Sequence, residues 1–132
     1  MYKRQSLAAA RAGARVLATD RDSVALDFVQ HAAADQGLDV STQLFDVEDK
    51  SSPLPPGDLC VFADVFVTDP VAEACAARCK EALQRGSDVL VVAAARSTRD
   101  AFLKALGGGS FGPAPARLAN GEGLWLVDGG AG

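Results

Sequence analysis

The chain has 132 residues, which suits one domain of ordinary size. Hydrophobic residues make up 48% and charged residues 23%, enough apolar side chain for a real core and an ordinary load of surface charge. A formal charge of -4 argues against a general nucleic-acid binder, whose face would be rich in Lys and Arg. No apolar run approaches the length needed to span a bilayer, which argues against a membrane partner.

Residues 7–12 read as the end of a helix closed by Gly13. Residues 15–20 (RVLATD) form a β-branched and apolar run that stops at an acid, the pattern of a strand. Asp22 or Ser23 can cap the next helix, which runs to about Gln36 and is stopped by Gly37. Two apolar stripes recur in it at helical spacing, Val24, Phe28, Ala32 and Leu26, Val29, Ala33. Residues 39–45 (DVSTQLF) alternate polar and apolar side chains, as a partly covered strand does. The proline-rich stretch 51–57 (SSPLPPG) is a surface loop.

Residues 58–66 (DLCVFADVF) are almost continuously apolar, the mark of a parallel strand covered on both faces. Pro70 fits a first helical turn with Asp69 as its cap, and that helix runs to Gln84 before Gly86. A further buried strand spans 87–94 (SDVLVVAA), and a short helix spans 98–106 before the glycines at 107–109. Residues 117–119 and 124–127 form a candidate hairpin around Asn120-Gly121. This alternation predicts an α/β fold: a doubly wound, mostly parallel sheet with an antiparallel edge hairpin. The expected organisation is one domain over residues 1–128, with residues 129–132 as a flexible tail.

Three cysteines suit reduced thiols in a cytoplasmic protein. Cys75 and Cys79 share a helix face, but no further Cys or suitable His completes a metal set, so no metal is expected. Arg4 and Arg11 among alanines leave an organelle transit segment as the alternative to a cytoplasmic location.

In an open parallel sheet a ligand binds outside the carboxyl ends of the strands. Three expected strands end at, or run into, an acid: Asp20, Asp46 and Asp64. A carboxylate there can accept two hydrogen bonds from vicinal ribose hydroxyls, which an apolar wall cannot do. Asp20 is best placed for a ribose, Asp46 for an adenine amino group, and Asp64 for the reacting end of the ligand. Any one such acid alone reads more simply as solvated or as a cap; three on successive strands favour a site.

The stretches ARAGARVLATDRD (10–22), LFDVED (44–49) and DLCVFADVF (58–66), in that order and spacing, carry a resemblance that covers residues 8–106. They resemble the class I, seven-strand S-adenosylmethionine-dependent methyltransferases, and more narrowly the group of the electron-transfer-flavoprotein β-subunit lysine methyltransferase. The resemblance implies S-adenosylmethionine as cofactor, Asp20 on its ribose, Asp46 near its adenine, and Asp64 in the acidic motif beside the methyl-transfer centre. It also implies a protein substrate whose lysine amine, with a reference pKa of about 10.4, must lose its proton before in-line attack on the sulfonium methyl.

Two departures accompany the resemblance. The family's first strand and glycine-rich turn precede the helix that ends at Gly13, and the residues before that point contain no strand–Gly-x-Gly–helix. The chain therefore reads as an N-terminally truncated core. Val67 stands where many relatives carry an aromatic residue three positions after the motif acid. A sheet lacking its first strand exposes apolar edges, which a homo-oligomer could cover. The competing expectation is a non-catalytic relative, a binding or scaffold module without activity. A nicotinamide-dinucleotide domain also suits an acid after a second strand, but it needs the same glycine turn.

Other signals point elsewhere. Gly107–Gly112 matches G-x-G-x-x-G in letters only, because a helix precedes it and Pro113 follows. His31, the sole histidine, reads as a helix-surface residue. No serine elbow is present. Trp125 and Phe102 read as packing residues, and Arg96 and Arg99 as a solvated helix start.

Overall fold

The computed structural model describes residues 13, 15–63, 66–112 and 124–128. They fall into two compact units divided between Asp49 and Lys50. The first holds β1 (Val16–Asp20), α1 (Ser23–Gln36) and β2 (Val40–Leu44). The second holds β3 (Leu59–Ala63), α2 (Asp69–Gln84), β4 (Asp88–Ala93), α3 (Ser97–Leu106) and β5 (Leu124–Asp128). The fold is α/β with parallel sheets, and every strand pair among the described residues is parallel.

In the first unit β1 and β2 pair in register from Val16 opposite Val40 to Asp20 opposite Leu44. Helix α1 crosses between them, as a parallel connection requires. The Asp22 side chain accepts from the Val24 N–H at 2.9 Å and caps the helix. At the other end Gly37 takes φ 65°, and Leu38 N–H reaches the Ala33 carbonyl at 2.9 Å. A left-handed residue there costs glycine little, which is why the helix stops at this point. Of the two apolar stripes on α1, Leu26, Val29 and Ala33 are buried with Ala18 and Val40, while Val24 and Phe28 stay 57% and 59% exposed.

The second unit has strand order β3-β4-β5. Val89, Val91 and Ala93 on central β4 are buried, Leu90 and Val92 between them are half-buried, and Asp88 at the strand start is exposed. β3 departs from the expectation of cover on both faces: Leu59 is 53% and Val61 46% exposed. A run of apolar residues reads the same in an edge strand as in a central one, and β3 is at the edge of its sheet.

The cap of α2 is Thr68, one residue before the expected Asp69. Its hydroxyl accepts from the Val71 N–H at 3.3 Å, and Asp69 lies in the first turn with Pro70. Small side chains form the buried face of α2: Ala72, Cys75, Ala76, Cys79 and Ala82 are all at most 1% exposed.

β5 covers the expected strand at 124–127 and runs parallel to β4, Val89 opposite Leu124. The other arm of the expected hairpin, 117–119, and the first expected helix, 7–12, lie outside the described residues, and the antiparallel pairing is not among the observed strand pairs. The glycine segment after α3 is a loop anchored on β5: Gly112 N–H donates to the Leu126 carbonyl at 3.0 Å. Gly109 sits at φ 112°, a conformation that strains any L side chain, and a Cβ there would also press on Leu126 Cδ1 at 3.0 Å, so the position favours glycine.

Candidate functional site

The carboxyl end of the β1–β2 pair gathers two of the three expected acids. Asp20 is the last residue of β1, and Asp46 follows β2 by two positions. The Phe45 N–H donates to the Asp20 carbonyl at 2.9 Å, which extends the parallel ladder one step and brings both acids to the same edge. Phe45 itself is buried and holds the exit of β2 in place.

Each acid organises its own turn. Asp20 Oδ1 accepts from the Asp22 N–H at 2.9 Å, and Asp46 Oδ1 accepts from the Glu48 N–H at 2.9 Å. In each case the acceptor is two residues before the donor, the turn that Asp side chains favour. One oxygen of each carboxylate is thereby fixed in direction. Both residues are half-buried, so each keeps part of its surface within reach of a ligand. Two acceptors held at one edge of a parallel sheet suit a polyhydroxylated or amino-bearing ligand, which supplies the missing donors.

Asp64, the third acid, lies outside the described residues. Val67, three positions later, is 67% exposed. In the second unit, Phe66 stacks on Phe102 with ring centroids 4.6 Å apart, and Phe111 tilts against Phe102 at 6.1 Å. Arg99 lies 4.7 Å over the Phe111 ring and donates to the Ala93 carbonyl at 3.2 Å. That placement ties Arg99 to the end of β4, in contrast to the solvated position expected for it. Arg96 is exposed, and it caps α3 without a side-chain hydrogen bond.

A polar cluster with no counterpart in the sequence reading sits beside the proline-rich loop. Leu54 N–H donates to Glu81 Oε2 at 2.9 Å, and Arg78 Nη1 donates to Glu81 Oε1 at 2.9 Å. Arg85 donates to the carbonyls of Leu54 and Pro55, and the Ser87 hydroxyl donates to the Gly57 carbonyl at 2.6 Å. Burial would raise the Glu81 carboxyl, but the Leu54 N–H and the Arg78 and Arg85 guanidiniums outweigh it and hold the group below the ordinary carboxylate value. The cluster pins a loop and leaves its acceptors satisfied, which makes it a structural fastening. Its only sequence signal is Glu81 placed three and four residues from Arg78 and Arg85 on one helix face.

The three cysteines are reduced thiols. Burial, then the neighbouring Cys75 and Cys60 sulfurs, push the Cys79 thiol far up. Burial also raises Cys60, against the opposing pull of Arg85. No group of three or more His, Cys, Asp or Glu side chains among the described residues could hold a metal ion. His31 is exposed on α1. Among the described residues no helix is long and apolar enough to cross a membrane. Compared with known proteins, the chain matches no family model, no curated protein and no solved structure.

Proposed function

We propose that this chain is an S-adenosylmethionine-dependent methyltransferase-like protein, with protein lysine as the acceptor class. The observation that carries the reading is the pair Asp20 and Asp46, both oriented by their own turns at the carboxyl edge of a parallel strand pair. In this reading Asp20 accepts from the ribose hydroxyls and Asp46 from the adenine amino group. Asp64, outside the described residues, has the role of orienting the acceptor amine. The protein's contribution to transfer is mainly to align the amine with the sulfonium methyl and to exclude water. A carboxylate near the amine orients it but favours its charged form, so desolvation must supply the deprotonation. The doubly wound core and its antiparallel edge hairpin belong to the same proposal.

A binding or scaffold module without catalysis is the second reading. It is favoured by the apolar side chains of Leu59 and Val61, which stand exposed on an edge strand.

The test is calorimetric titration of S-adenosylhomocysteine into the 132-residue chain, with Asp20→Asn beside it. Micromolar binding that Asp20→Asn weakens roughly tenfold to a hundredfold is the expected result. A folded chain that binds no S-adenosylhomocysteine would sink the cofactor reading and leave the scaffold module.

A further inference from the structure

We draw no further inference here: the strongest candidate, the edge of β3 turned away from β4 with Leu59 and Val61 exposed, carries nothing because nothing in the structure shows what covers it.

Discussion

The Phe45 amide and the Asp20 carbonyl, 2.9 Å apart, join the exits of β1 and β2. Through this bond the direction of one acid-bearing turn depends on the other, since Asp20 ends β1 and Asp46 follows Phe45. The arrangement separates two roles that lie only two residues apart. Asp20 orients a turn and offers an acceptor to a ligand, while Asp22 caps α1.

That separation can be measured. Asp20→Asn keeps an oxygen that accepts from the Asp22 N–H, so α1 and the turn persist. Nucleoside binding is expected to weaken roughly tenfold to a hundredfold, in line with about 1.5–3 kcal/mol for a hydrogen bond to a charged group. Asp22→Ala instead loses the cap, at about 1 kcal/mol. Amide hydrogen exchange in the first turn of α1 should then quicken, with ligand affinity falling only as far as the folded fraction does. Equal loss of affinity in both variants, with both folded, would remove Asp20 as a ligand residue.

The strand ends were legible because the strand pattern of each segment stops at a polar turn residue: Asp20 closes β1 and Asp46 follows β2 by two positions. Gly37 was legible for a similar reason: few residues other than glycine end a helix with φ 65°. Thr68 and Asp69 are both good caps side by side, and only backbone geometry chooses between them. The open face of β3 was hidden because hydrophobicity reports what a residue tolerates and not what lies against it. The Glu81–Leu54 and Arg85–Leu54 fastenings join residues 27 and 31 positions apart, and pairings at such separations leave no periodicity in the sequence.

Phe102 is fully buried between the rings of Phe66 and Phe111. Truncation to Ala removes both aromatic contacts and leaves a cavity, so Phe102→Ala should cost about 3–5 kcal/mol. The single tryptophan, Trp125, lies on β5 in the same unit, and its fluorescence during urea unfolding reports the loss directly. Phe111 is only half-buried, and Phe111→Ala should cost clearly less. Equal costs would mean that the stack does not centre on Phe102.

Glu81 makes the second unit sensitive to acid. Its carboxyl is held below the ordinary value in the folded chain, so the folded state binds the proton less readily than the unfolded state. The stabilisation is therefore fully present above the unfolded pKa, and it is lost as pH falls through the folded pKa. Urea midpoints measured from neutral pH down to pH 3 should fall more steeply in the wild type than in Glu81→Gln across the range below about 4.3, the ordinary Glu value. Glu81→Gln should also be the less stable of the two at pH 7, because the amide cannot match the carboxylate as an acceptor from both Leu54 and Arg78. Parallel curves for the two proteins would show that the fastening contributes nothing through its charge.

The thiols divide by access. Cys75 and Cys79 are 0% exposed on the face of α2, and burial raises Cys79 far above the range where thiolate forms near neutral pH. Cys60 is half-buried on β3; burial raises it as well, with Arg85 acting in the opposite direction. Only thiolate attacks an alkylating or disulfide reagent, so labelling of the native chain at pH 8 should be slow and confined to Cys60. Cys75 and Cys79 should label only through opening of the second unit, at a rate that rises with urea as the open population grows. Peptide mass analysis after timed iodoacetamide exposure distinguishes the three positions. Early modification of Cys79 in native buffer would mean that α2 opens locally, and that its small-residue face is held less tightly than its burial indicates.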